Sequence, residues 1–110
     1  MSEHWIDAGP DTAAAGERRE LDLDGVPVAI VAVAGQFYAF EDRCTHDGEP
    51  LADAEHEIDD QGRPVVICPR HGARFCLRSG DALSPPAYEP VQVFSTRLRE
   101  GRLEVRAPEP

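Results

Sequence analysis

Turn residues recur so often along this chain that a long helix has nowhere to form. Nine glycines and ten prolines fall among 110 residues. Between them lie short runs of β-branched and aromatic residues, which read as strands. Trp5–Ala8 reads as a short edge strand and residues 9–16 as a loop. Arg18–Leu23 alternates polar with apolar side chains and meets Asp24-Gly25, a hairpin turn. Val26–Val33 is nearly all apolar, as a buried strand should be, and Phe37–Phe40 returns from a turn at Gly35-Gln36. The stretch 53–63 is polar and turns at Asp60-Gln61-Gly62. Pro64–Ile67 and Ala73–Leu77 are short strands, the second closed by Ser79-Gly80. Ser84-Pro85-Pro86 is a rigid loop, because each proline fixes φ. Val91–Arg99 and Leu103–Arg106 form a hairpin about Glu100-Gly101, and residues 107–110 fray. About eight or nine strands separated by turns predict an all-β sandwich or barrel.

Size and charge exclude several functions. A chain of 110 residues holds one domain, residues 1–110, with no room for a substrate domain beside a cofactor domain. Its formal net charge of −10 argues against nucleic acid as a partner. The charge is segregated. Residues 1–60 carry 16 acidic and 3 basic side chains, whereas residues 61–110 carry 5 acidic and 8 basic. Every basic residue is arginine, which fits either codon bias or a docking face. The start, Met1 to Asp7, lacks the basic and apolar regions of a signal peptide. The longest apolar run, Val26–Ala34, is interrupted by Pro27 and is far short of the ~20 residues of a membrane helix. The expectation is a cytoplasmic protein with no membrane partner. Three cysteines, an odd number, disfavour a disulfide scaffold and point to metal or redox chemistry.

Two motifs carry that chemistry: Cys44-Thr45-His46 and Cys68-Pro69-Arg70-His71, with 21 residues between them. Each ends a predicted strand and opens a loop containing glycine, Gly48 or Gly72. Two such loops side by side would present two thiolates and two imidazoles to one site. Zinc accepts this donor set tetrahedrally. A [2Fe–2S] cluster accepts it with two cysteines on one iron and two histidines on the other. Zinc fingers order their ligands Cys-Cys-His-His on a ββα frame. Here the order alternates on a β frame, so each loop could grip both irons. Cys76 reads as a small buried hydrophobe. His4 and His56 read as solvated, as do the turn residues Asp22, Asp24, Asp59 and Asp60. Trp5, Phe37, Tyr38, Phe40, Phe75 and Phe94 read as core. No Ser/His/Asp triad, phosphate loop or paired-carboxylate site is evident.

The segments Cys44-Thr-His-Asp-Gly-Glu-Pro-Leu51 and Cys68-Pro-Arg-His-Gly-Ala-Arg-Phe75 resemble the two cluster-binding motifs of Rieske ferredoxins. The likeness continues through Arg78-Ser79-Gly80 and Ser84-Pro85-Pro86, and is greatest to the small ferredoxin of bacterial aromatic-ring dioxygenase systems. It runs from Trp5 to about Val105, with a spacer a few residues longer than usual, whose extra polar residues around His56–Arg63 fall on an exposed hairpin. The resemblance implies a basal β-sandwich with a small cluster-binding subdomain at about residues 42–87. It implies one [2Fe–2S] cluster, with Cys44 and Cys68 on the inner iron. His46 and His71 would bind the outer iron through Nδ1. Pro85 and Pro86 would lid the cluster, and Leu51 would pack over it. Gly48, Gly72 and Gly80 would let backbone N–H groups approach the sulfides. The implied function is one-electron transfer by a non-catalytic, monomeric carrier, from a flavin-type reductase to a terminal oxygenase. The small subunit of a nitrite reductase or another redox complex is the alternative, and a structural zinc-binding module a third reading.

Ligand charge explains why such a centre accepts electrons readily. With two thiolates and two neutral imidazoles it is about neutral when oxidised, against about −2 for four thiolates. Hence Rieske potentials run from about −150 to +300 mV, against about −400 mV for plant-type clusters. Rieske proteins of membrane complexes add a disulfide across the two loops; the matching positions here are Glu49 and Arg70. They also place serine where this chain has Ala73. Fewer hydrogen bonds to sulfur stabilise the reduced state less, which predicts a potential low in the range. Arg43, Arg70, Arg74 and Arg78, with Asp47 and Glu49, are expected to rim the exposed tips at His46 and His71.

Overall fold

Six consecutive buried side chains, Val28 to Val33, need cover on both sides of their strand, and the fold supplies it. The computed structural model describes residues 4–12, 17–23, 25–43, 54–68, 72–84 and 90–106. Within these lie ten strands and no helix. The middle sheet has the order β2-β3-β4-β8, built from β2 (Arg18–Leu23), β3 (Val26–Val33), β4 (Gln36–Glu41) and β8 (Val93–Phe94). One outer sheet, β1-β10-β9, joins β1 (Trp5–Pro10), β10 (Arg102–Arg106) and β9 (Thr96–Arg99). The other, β5-β6-β7, joins β5 (Glu55–Ile58), β6 (Pro64–Ile67) and β7 (Arg74–Cys76). All pairings are antiparallel.

Alternation along β3 divides its side chains between two cores. Val28 and Ile30 join Leu23, Ala39, Phe94, Leu103 and Val105 beneath the β1-β10-β9 sheet. Ala29, Val31 and Val33 join Phe40, Val66, Cys68, Phe75 and Leu77 beneath the β5-β6-β7 sheet. The first core is the basal sandwich. The second binds the β5-β6-β7 sheet to it. Full burial of a side chain such as Phe40 or Phe75 stabilises by about 1.5–3 kcal/mol.

Two readings of the sequence change, in whole or in part. The run Val91–Arg99 is two strands rather than one: β8 pairs with β4, and β9 pairs with β10 on another sheet. The crossing falls at Ser95, whose carbonyl accepts a hydrogen bond from the Arg106 N–H at 2.9 Å. The polar stretch before Pro64 is one arm of the expected exposed hairpin: β5 is an edge strand with only β6 beside it. Among the aromatics, Phe40, Phe75 and Phe94 are buried and Phe37 and Tyr38 pack half-buried against the two cores, but Trp5 is half-buried and belongs to neither. Guanidinium groups cover two of these: Arg97 lies 4.1 Å from the Trp5 ring centroid and Arg19 lies 4.9 Å from that of Phe37.

Candidate metal centre

β6 delivers Cys68 to the rim of the second core, where it is 1% exposed and forms no disulfide. Two backbone hydrogen bonds close the loop that follows. The Cys68 N–H donates to the Ala73 carbonyl at 2.7 Å, and the Gly72 N–H donates to the Cys68 carbonyl at 3.0 Å. Gly72 has φ +73°, a conformation L side chains rarely adopt, so the loop demands glycine for its backbone. Its own N–H is engaged by the Cys68 carbonyl, and a Cβ there would meet no atom within 4 Å. Ala73 is fully buried and has no hydroxyl to donate.

The chain then passes along β7 and returns beside it. The Cys76 N–H donates to the Asp81 carbonyl and the Leu83 N–H to the Arg74 carbonyl, at 2.9 and 2.7 Å. The Ser84 hydroxyl accepts from the Arg74 N–H at 3.2 Å, which fixes the chain at the approach to residues 85–89. Gly80 turns this ribbon at φ +83°, and a Cβ there would collide with the Val91 carbonyl. This backbone crossing by itself calls for glycine at the position. Cys76 is buried and unpaired as expected. Burial alone would raise its pKa; the Ser79 hydroxyl and the Ser79 and Arg78 N–H groups outweigh that and hold the thiol below its usual value.

Cys44, His46 and His71 lie outside the described residues, as do Gly48, Leu51, Pro85 and Pro86 and the charged Asp47, Glu49 and Arg70. The flanks of the segments that carry them are described and converge. Ala54 follows residues 44–53, Cys68 and Ala73 flank 69–71, and Val91 closely follows 85–89; all four belong to one buried cluster. The donor chemistry fits a [2Fe–2S] cluster, with a free, buried thiol at the end of a strand in a glycine-turned loop. Among the described residues no three His, Cys, Asp or Glu side chains are grouped to hold a metal. Any centre in this part of the fold must therefore draw on those three segments.

The family resemblance is borne out. The model of the Rieske [2Fe-2S] domain family matches residues 4–95. This chain is a Rieske protein. The biphenyl dioxygenase ferredoxin subunit of Pseudomonas sp. (strain KKS102) is 38% identical to it over 92 residues, 84% of this chain and 80% of that one. Among solved structures, a chain from the complex of reduced oxygenase and oxidized ferredoxin in carbazole 1,9a-dioxygenase is 30% identical, with TM-score 0.83 over 96% of this chain and 95% of that one. The putative NADH-dependent nitrite reductase small subunit from Mycobacterium tuberculosis is 25% identical, with TM-score 0.85 over 99% of each. This Rieske protein is thus a ferredoxin, an electron carrier whose cofactor is a [2Fe–2S] cluster. The zinc reading falls with that result. The all-β Rieske fold stands as expected.

Four expectations about individual side chains change. His56 is half-buried on β5 rather than solvated, and its Nδ1 is enclosed without a hydrogen-bond partner. Burial first, then the Arg18 charge, hold its pKa below the usual value against an opposing pull from the Ala54 backbone. Asp59 is no idle turn residue. Its Oδ1 accepts from the Gln61 and Arg63 N–H groups, each at 2.9 Å, and its Oδ2 accepts from Arg63 Nε at 2.7 Å. Those backbone and side-chain bonds hold its carboxyl below the usual range. Arg74 is paired with Glu57 at 3.2 Å, so it is not a free rim cation. Arg78 follows β7 at the end away from residues 69–71 and does not rim that loop. Arg43 is exposed and immediately precedes Cys44 in the chain. No sequence signal distinguishes His56, whose environment comes from strands paired across a turn, whereas the bonds of Asp59 are local to the turn it opens, and an aspartate two residues before Gln61-Gly62 is the signal for them.

Proposed function

We propose that this Rieske ferredoxin passes single electrons from a flavin-type reductase to a terminal ring-hydroxylating oxygenase. Cys44 and Cys68 would hold one iron of its cluster, and His46 and His71 the other, within a subdomain of about residues 42–87 of the single domain 1–110. The bound cluster supplies one-electron acceptance and release. The chain's own residues hold it: Cys68 is fixed by the Ala73 and Gly72 backbone bonds, and Ser84 fixes the approach to the proline segment. The observation that carries the reading is Cys68, a buried unpaired thiol on a closed loop in a chain whose family binds this cluster. It would act as a freely diffusing monomer in the cytoplasm; no helix of the described residues is long and apolar enough to cross a membrane.

The test is assembly of the electron chain. Purified protein is expected to contain two irons and two sulfides per chain. Its one-electron potential is expected below about 0 mV, low in the Rieske range, as Ala73 implies. Reduction by a flavin reductase and reoxidation by a ring-hydroxylating oxygenase should both proceed. A potential above about +150 mV would contradict the reading of the loops. The likeness to a nitrite reductase small subunit favours a second reading, permanent membership of a redox complex. A chain that copurifies with a larger reductase subunit and shuttles nothing when alone would establish that instead.

A further inference from the structure

The chain leaves residues 44–53, which carry two of the four proposed ligands, at Ala54. Ala54 is 2% exposed and lies in the same buried cluster as Cys68 and Ala73. Pairing in the β5-β6-β7 sheet begins one residue later, at Glu55 with Ile67. The contact that reaches Ala54 comes from another sheet. Arg18, 36 residues earlier, donates from Nη2 to the Ala54 carbonyl at 3.2 Å. Arg18 is itself well placed to act as a strut. It is the first residue of β2 and pairs with Val31, and the neighbouring Glu17 carbonyl accepts from the Ala32 N–H at 3.1 Å. The next guanidinium along β2 does something else. Arg19 reaches the Ala8 and Thr12 carbonyls at 2.8 and 3.1 Å and covers Phe37, tying β2 to β1.

We propose that Arg18 is a positioning residue for the metal centre: its guanidinium holds the Ala54 carbonyl and so fixes where the Cys44–His46 segment rejoins the fold. The proposal rests on the ligand assignment above. Arg18 is itself exposed and its bond of 3.2 Å is part-buried, so the contact is a charged donor of moderate strength on the carbonyl of a buried residue. A cation also favours the more negative, reduced state of any centre that its field reaches. Two effects of Arg18 follow, retention of the centre and elevation of its potential. The charge alone supplies the second, whereas both charge and reach are needed for the first.

Arg18→Gln, Arg18→Lys and Arg19→Gln, prepared with the cluster in place, separate these effects. Iron loss to a ferrous chelator after reduction is followed beside voltammetry and thermal unfolding. Arg18→Gln should lose iron about tenfold faster than the unaltered protein, as expected for losing one charged hydrogen bond. Its potential should fall. Arg18→Lys should keep the potential and recover part of the retention. Arg19→Gln should lower the unfolding temperature while leaving the potential unchanged. The proposal is overturned if Arg18→Gln matches the unaltered protein in both iron loss and potential. It is equally overturned if Arg19→Gln reproduces both changes, since loss of the centre would then follow general loosening. An unaltered protein without iron and sulfide would refute the ligand assignment itself, a different outcome from either.

Discussion

Each proposed ligand holds its iron beside only one other protein ligand, so single substitutions should be severe. His46→Ala or His71→Ala should abolish or cripple the cluster, read as lost iron and lost visible absorption. Full iron content with an unchanged spectrum in either variant would refute the assignment. Cys76→Ser should keep iron and sulfide at the unaltered stoichiometry, because that thiol is turned to Ser79 and its neighbouring N–H groups. His56 makes the opposite kind of contribution. Burial and Arg18 depress its pKa in the folded state, so the unfolded chain takes up the proton first as pH falls below about 6.5. Above that pH His56 costs no stability; below it stability declines until the folded pKa is passed. Urea midpoints at pH 7.5 and 5.5 should therefore differ more for the unaltered protein than for His56→Gln. Equal differences in the two proteins would remove His56 as the cause.

Among the elements, the ribbon from β7 through Gly80 is the most exacting. At Gly80 a side chain meets two obstacles together, a left-handed backbone and the Val91 carbonyl that lies against it. Gly80→Ala should cost at least about 2 kcal/mol, read as a lower denaturation midpoint at unchanged slope. Gly62 also has positive φ but nothing within 4 Å of a Cβ, so Gly62→Ala should cost less, about 1 kcal/mol. A smaller effect at Gly80 than at Gly62 would mean the crossing yields easily. The contrast also shows what the sequence disclosed. The turn at Ser79-Gly80 was legible, because glycine after a strand is a local signal. The carbonyl it accommodates was not, because Val91 lies eleven positions away. For the same reason β3 and β6 were legible as apolar runs, whereas β5 was legible only as the polar arm of a hairpin. An exposed edge strand of glutamate and histidine carries no apolar period, and only its partner β6 makes it a strand. Cys68 was legible from its motif. Its anchoring at Ala73 and the strut from Arg18 to Ala54 depend on which segments meet, and no local pattern records that.

On the scale of the molecule, charge decides how a carrier meets its partners. A chain of net charge −10 throws a long-range field, and its first 60 residues hold 16 of the 21 acidic side chains. The electron should leave where the proposed outer iron is nearest the surface. The structure thins the cationic rim expected there. Arg74 is paired with Glu57, and Arg78 lies beyond the other end of β7. Arg43, exposed at the approach to Cys44, remains, and Arg70 belongs to the loop that carries His71. Long-range steering therefore falls to the acidic body, and local orientation to a sparse pair of arginines. Encounters between electron-transfer proteins are small and transient, so their rates follow the field. Raising ionic strength from about 0.01 to 0.5 M shrinks the Debye length from ~30 Å to a few Å. Reduction by the partner reductase, followed by stopped flow, should slow over that range. Arg70→Glu should change the low-salt rate more than Arg106→Glu, since Arg106 ends β10 on the far outer sheet. Arg78→Glu should now group with Arg106→Glu, because the fold sets it apart from the tip. Rates indifferent to salt and to all three reversals would mean that docking is apolar, through surfaces such as Pro69 and Leu51, and that the arginines take no part in it.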